Sequence, residues 1–297
     1  MQINPSFELF HLLSHPKITR KKAQNYLLTD SSLERLHSLH WQDLSQSLHL
    51  NIPIAKSVYE HLRNRHYRQL SARQYNILQP ITIYDADYPQ TLASIPDPPL
   101  ILYARGNRKL LQGNHLSVIG SRKPSPTAKN KINVLLPPLI EQSVTIVSGL
   151  AYGIDGMSHQ LTLDKKGKTI AVLAFGFNHI YPKRHTSLYR SIERNGLLLT
   201  EYPPDVKPER WRFPERNRII SGLSQATLII EATERSGTMI TADQALEQGK
   251  DVFVVPDSIF LPEAKGCLKL LQEGAIPITQ PQDLLDWWKK SVPNSLK

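Results

Sequence analysis

The sequence predicts an α/β protein, in which a doubly wound, Rossmann-like parallel sheet follows a small all-helical N-terminal domain. Two observations carry this. From His115 onward, short unpatterned apolar runs alternate with helical stretches, as parallel strands buried on both faces require. Before residue 75, apolar residues recur at helical spacing and strand signals are few. The length of 297 residues leaves room for one large domain and a smaller one.

In chain order, "FELFHLLSH", "KAQNYLL", "SLERLHSLH" and "AKSVYEHLRNRHYRQL" read as short helices, with Ser31, Ser32 and Glu34 marking a helix start. This domain spans 1–75 and holds seven of the 11 histidines (11, 15, 37, 40, 49, 61 and 66). Their spacings match no metal-ligand motif, and surface or half-buried positions are expected for them. Residues 76–114 mix short apolar runs with proline turns and read as an extended arm on the next domain, with "PLILYA" a strand. The Rossmann-like domain occupies 115–297. Its expected strands are 115–120, 144–149, 169–174, 196–202, 226–232 and 251–256, with a weaker one at 275–279. Ligands of such sheets bind outside the carboxyl ends of the strands.

Composition narrows the function. A net charge of +10 and a pI near 9.6 favour polyanions: nucleic acid, phosphorylated ligands or an anionic surface. No run of 18 apolar residues suggests a membrane span, and no secretory signal is evident. A lone cysteine, Cys267, rules out an intrachain disulfide and fits a reducing cytoplasm. Several nucleotide chemistries are missing. "VIGSRKPSP" carries one glycine where a dinucleotide fingerprint needs three. Gly167-Lys168-Thr169 resembles the end of a P-loop, but Thr162 stands where its first glycine belongs and a strand follows instead of a helix. Zinc-protease and serine-hydrolase signatures are absent as well.

The strand ends carry the distinctive chemistry. Strand one ends in Gly120-Ser121-Arg122, strand two in "SGLAYGID", and strand five in "EATERSGTMITA". Small residues there would expose helix N-terminal amides to an anion. Arg122, Lys183 and Arg218 can bring full charges to the same rim. Between Lys207 and Arg218, five basic residues face two acidic ones, with Trp211 and Phe213 interleaved. Aromatic rings that stack bases beside arginines that hold phosphates suit a single strand better than a duplex. Asp155 reads equally well as a helix cap, Trp211 and Phe213 as core anchors, and Gly149 and Gly153 as turn residues.

Taken in order, "GSR", "SGLAYGID", "YPKRH", "FPERNRIISGLS", "EATERSGTMITA" and "GCLKLLQEGA" resemble the DNA-processing protein A (DprA/Smf) family, over residues 84 to about 275. The resemblance implies an extended Rossmann fold with an N-terminal domain of the sterile-alpha-motif type. It implies a cytoplasmic recombination mediator of natural transformation that binds single-stranded DNA, protects incoming strands, helps load the recombinase RecA and forms homodimers. Neither a catalytic step nor a cofactor is implied. By motif match, the anion pocket would use Arg122, Lys183, Ser148, Gly149, Arg216, Asn217, Arg218, Ser236, Gly237 and Thr238. Arg218 has a competing structural use, pairing with Glu231 or Asp155. Three positions depart from the family pattern. Asp257 stands where a glycine is common, and a carboxylate facing the pocket would weaken DNA binding. Leu268 and His185 stand where asparagine or another polar residue is usual. A C-terminal winged helix, present in some members, is not expected.

Two other function classes compete. Nucleotide-processing phosphoribohydrolases of a similar fold need P-G-G-x-G-T-x-x-E, but "ERSGTMITAD" lacks the paired glycines and has Thr241 where the glutamate belongs. A small-nucleotide sensor is the third reading, for which the basic loop "KPERWRFPERNR" is excessive.

Overall fold

A computed structural model describes residues 4–291. The chain forms two compact units. One comprises the residues as far as Tyr88 together with Pro99–Tyr103, and the other Pro89–Pro98 and the chain from Ala104 onward.

The smaller unit contains α1 (Pro5–Leu13), α2 (Arg20–Leu27), α3 (Trp41–Ser47), α4 (Ile52–Arg63) and α5 (Arg65–Leu78). Four of its five helices start where asparagine or threonine side chains can take up unpaired amides. Asn4 accepts from Phe7 N at 3.2 Å and Asn51 from Ile54 N at 3.0 Å. The start expected at Ser31–Glu34 is a 3-10 turn over Glu34–His37. β1 (Ile81–Thr82) runs antiparallel to β2 (Ile101–Gly106), with Ile81 opposite Leu102. Leu9, Leu12, Leu36, Leu44, Leu48 and Val58 form the apolar core.

Three of the histidines depart from expectation, because His11, His15 and His61 lie inside this core. His11 stacks on His61 at 4.6 Å, and His15 meets the edge of His61 at 5.2 Å. Serines make this possible. Ser71 Oγ lies 2.8 Å from His11 Nδ1, Ser14 Oγ 3.0 Å from His61 Nε2, and Ser57 Oγ 3.1 Å from His15 Nε2. Burial lowers all three pKa values, that of His11 to about 4. The other charges facing the cluster are Glu8 and Arg68 toward His11 and Lys17 toward His15. Among the described residues no group of side chains is arranged to hold a metal ion.

A pH dependence follows. The folded rings are neutral while the unfolded ones titrate near pH 6.5, so the unfolded chain binds more protons below that value. Stability is full above pH 6.5 and falls as the pH drops toward 4, with His11 alone contributing on the order of 3 kcal/mol. Hydrogen exchange at pH 7 and pH 5 should show the amides of α1, α4 and α5 losing protection at the lower pH. Equal protection at both values would contradict this.

The larger unit begins with α6 (Gln90–Ala93) and then alternates strand and helix: β3 (His115–Ile119), α7 (Ala128–Leu135), α8 (Pro137–Glu141), β4 (Thr145–Ser148), α9 (Ile154–Asp164), β5 (Thr169–Leu173), α10 (Thr186–Asn195) and β6 (Leu197–Thr200). It continues through α11 (Arg212–Leu223), β7 (Ala226–Ile229), α12 (Gly237–Glu247), β8 (Asp251–Val254), α13 (Lys265–Gln272), β9 (Ile276–Pro277) and α14 (Pro281–Ser291). The seven strands β3–β9 are parallel and ordered β6-β5-β4-β3-β7-β8-β9. Each lies inside an apolar run picked out by the sequence. Both faces are covered. Leu116, Val118, Ile146, Leu228 and Phe253 pack with residues of α7, α8, α9 and α14. On the opposite face Ser117 Oγ donates to the Ile220 carbonyl of α11 at 2.7 Å. The chain works outward from β3 to β6, then returns to β7 on the other side of β3. Between β3 and β7 the order reverses, and there the carboxyl ends of an open sheet leave a crevice. No helix among the described residues is long and apolar enough to cross a membrane.

Candidate functional site

A cavity of about 850 Å³ opens at that reversal. Its wall at the end of β3 is Ile119–Lys123, and its wall beyond β7 comes from Thr233, Ser236 and the first turns of α12. Phe213, Arg216 and Asn217 of α11 close it from the third side.

Arg216 supplies the charge at its base. It is only 3 % exposed. Its Nη1 donates to the Gly149 carbonyl at 2.6 Å and also to the Val172 carbonyl, so the ends of β4 and β5 grip the guanidinium. The grip needs a glycine, because a Cβ on Gly149 would lie 2.5 Å from Nη2 and 2.6 Å from Nη1. Burial lowers the Arg216 pKa to about 10, against the opposing pull of Asp155, and the group stays charged at neutral pH. Asp155 is itself buried, and burial raises its pKa while Arg216 lowers it. Its Oδ2 accepts from Gly149 N at 3.1 Å and Ala151 N at 3.3 Å, so it braces the β4–α9 loop. That loop enters α9 through Gly153, whose φ of 75° suits glycine and whose Cβ would lie 2.2 Å from the Ser121 carbonyl.

Above this base stand an aromatic wall and an exposed cation. The Arg122 guanidinium lies 5.7 Å from the Phe213 ring centre, and Tyr181 packs on the same ring at 5.6 Å. Arg122 is exposed. Ser236 caps α12 in position, and its Oγ is tied to the Thr233 carbonyl at 2.9 Å, leaving the first-turn amides of Gly237 and Thr238 at the cavity edge. The arrangement joins a fixed buried cation, an exposed surface cation, a ring face and helix amides. That set can hold an anion with an attached planar group.

The sequence-derived site residues divide. Arg122, Arg216, Asn217, Ser236, Gly237 and Thr238 all line the cavity. Lys183 is exposed on the turn after Tyr181-Pro182, whose Tyr181 lines it. Ser148 is fully buried and its Oγ donates to the Val118 carbonyl at 2.6 Å, so this hydroxyl joins β4 to β3 instead of facing the cavity. Gly149 lies behind Arg216. Arg218 turns away from the cavity. It makes a two-point contact with Glu201, at 2.8 and 2.7 Å, and its Nε reaches Asp97 Oδ2 at 3.1 Å. Its partners are therefore neither Glu231 nor Asp155. Glu231 instead accepts from Ser125 Oγ at 2.5 Å and pairs with Lys131 at 2.6 Å.

The departures from the family pattern also find their surroundings. Asp257 forms a second ion pair with Lys131, which keeps its pKa low, and it does not line the cavity. His185 rests against α9 at Gly156, and its Nδ1 lies 3.1 Å from the Leu150 carbonyl. Leu268 is half-buried on α13. The site residues chosen by motif leave out several that line the cavity, among them Lys123, Tyr181, Arg210 and Glu263. Tyr181 opens the "YPKRH" motif and Arg210 belongs to the basic loop, so both had a signal. Glu263 had none.

Comparison with known proteins fits this geometry. A family model described as DNA recombination-mediator protein A matches residues 79–289. The chain belongs to this family. The DNA processing protein DprA of Bacillus subtilis is 40% identical over 276 residues, covering 88% of this chain and 91% of its own. The X-ray structure of DNA processing protein A from Streptococcus pneumoniae superposes with a TM-score of 0.85 at 33% identity, covering 96% of this chain and 98% of that one. A structure of the Helicobacter pylori protein, described for its unique single-stranded DNA binding mode, aligns at TM-score 0.64 and 32% identity over 72% of this chain and 97% of its own.

Proposed function

We propose that the chain is a single-stranded DNA-binding recombination mediator that works without catalysis. It protects incoming strands in the cytoplasm during transformation and helps load a RecA-type recombinase as a homodimer. One observation carries the DNA reading: the cavity at the β3/β7 reversal sets an exposed arginine and a buried one against the same phenylalanine ring. Family membership and the single-strand binding described for the Helicobacter pylori relative support it. Arg122 and Lys183 are the direct backbone contacts. Asn217, Ser236, Gly237 and Thr238 shape the anion seat, and Arg216 supplies fixed charge from below. Ser148, Gly149 and Arg218 act through the scaffold. The competing hydrolase reading lacks support at Thr241, which lines the cavity in place of a glutamate.

Arg122→Ala and Lys183→Ala should each weaken single-strand binding and leave thermal stability unchanged. Each lost phosphate contact should shallow the log–log salt dependence by about 0.7. Unchanged affinity in both variants would overturn the contact assignment. A strong preference for one oligonucleotide over its scrambled counterpart would contradict recognition by backbone and stacking.

A cavity of about 850 Å³ is also large enough for a free nucleotide, which keeps a small-ligand sensor as the second reading. Displacement of bound DNA by micromolar nucleotide would favour it.

A further inference from the structure

The helical unit carries a concentration of charge that its fold does not neutralise. From Leu9 to Thr29 there is no Asp or Glu, while Lys17, Arg20, Lys21 and Lys22 fall within six positions. Arg20 has partners of its own. Lys17, Lys21 and Lys22 have no carboxylate partner among the described residues, and Lys17 and Lys21 are exposed. Nearby acids are committed elsewhere. Glu8 is buried against Arg68 and His37, and Asp30 is buried, accepting from the Tyr26 hydroxyl at 2.8 Å.

The placement works against the local fold. Lys21 and Lys22 lie in the first turn of α2, which has no acidic residue, so like charge meets the positive pole of the helix. A helix start selected for stability alone would carry the opposite sign. Local conflicts of this kind concentrate where a sequence serves function. The segment before the helix is nevertheless held firmly. The His15 ring accepts from Lys17 N at 3.2 Å through Nδ1 and reaches Ser57 Oγ through Nε2. Ile18 is buried, and Thr19 caps the helix through Lys22 N at 3.4 Å. The chain bearing these lysines is thus ordered before any partner arrives, which lowers the entropic cost of binding.

We propose that Lys17, Lys21 and Lys22 form a second contact surface for the phosphate backbone of single-stranded DNA, separate from the cavity of the larger unit. A polyanion relieves the uncompensated charge and the unfavourable helix pole together. The surface reads backbone charge and not sequence, because no aromatic ring belongs to it. The choice of DNA as the polyanion rests on the proposed function; the charge imbalance does not.

The test uses the full chain and a fluorescent single strand of about 40 nucleotides, titrated between 50 and 200 mM salt. The proteins are wild type, Arg122→Ala, and the triple variant Lys17→Ala, Lys21→Ala, Lys22→Ala. Loss of three phosphate contacts should lower the salt slope of the triple variant by about 2, making its loss of affinity over that range about 16-fold smaller. Its melting temperature should match or exceed wild type, since the substitutions remove like charge from the helix start. A slope reduced by Arg122→Ala but unchanged in the triple variant would overturn the second surface and leave the cavity reading intact. A slope reduced only in the triple variant would support the surface and contradict the cavity reading. If the triple variant instead loses binding to phosphatidylserine vesicles with its DNA slope unchanged, the partner is a membrane and the proposal fails.

Discussion

Arg218→Ala should be among the most destabilising single substitutions in the chain, lowering unfolding free energy by about 3–5 kcal/mol. The reason is what it leaves behind. Arg218 and Glu201 are 7% and 8% exposed, and the guanidinium meets both carboxylate oxygens. Removing the arginine takes the two-point charged contact away from the buried Glu201 carboxylate at the end of β6. It also removes the ties by which Arg218 holds Asp97 to α11, through both the side chain and the backbone carbonyl. Denaturant titration checks this. A double variant, Arg218→Met with Glu201→Gln, should recover part of the loss because it removes the buried carboxylate charge together with the guanidinium. The folded fraction of Arg218→Ala should still bind single-stranded DNA with an unchanged salt slope. A lower slope with little loss of stability would return Arg218 to the DNA rim.

Gly149→Ala should cost about 1–3 kcal/mol and should also damage binding. A Cβ there would overlap the Arg216 guanidinium, which two strand-end carbonyls pin in place. Either the strand ends move apart, at a typical overpacking cost of about 1–3 kcal/mol, or Arg216 leaves its carbonyls and loses charged hydrogen bonds worth about 1.5–3 kcal/mol. In the second case Asp155 loses its buried cation, and the cavity loses its fixed positive base. Stability by denaturation and affinity by titration should therefore fall together, unlike Arg122→Ala, which should lower affinity alone. A variant of wild-type stability and affinity would contradict the described packing of Arg216.

Much of the architecture was legible because the parallel strands are continuous apolar runs. "TIAVL" and "LLLT" have no polar face to confuse with an amphipathic helix, and both became fully buried strands. Family recognition was legible because several motifs kept their order. What could not be read was the direction of individual side chains. Arg216 and Arg218 sit two residues apart on one helix, about 200° around its axis, so one meets the ends of β4 and β5 while the other meets Glu201 and Asp97. Their partners are distant in sequence, and nothing local separates the two arginines. Asp155 was ambiguous for the same reason. It occupies the first turn of α9 yet accepts from amides four and six residues back, bracing the preceding loop. The histidines failed differently. Periodicity counts them as polar, but neutral imidazoles matched with Ser14, Ser57 and Ser71 pack as core.

The most direct measurement of the central claim is fluorescence anisotropy of a labelled single-stranded oligonucleotide titrated with the wild-type chain at several salt concentrations. A matched duplex and a free nucleotide serve as competitors. The account predicts tight, salt-sensitive binding that the duplex competes poorly and the nucleotide does not displace. Absence of binding, or displacement by micromolar nucleotide, would contradict it.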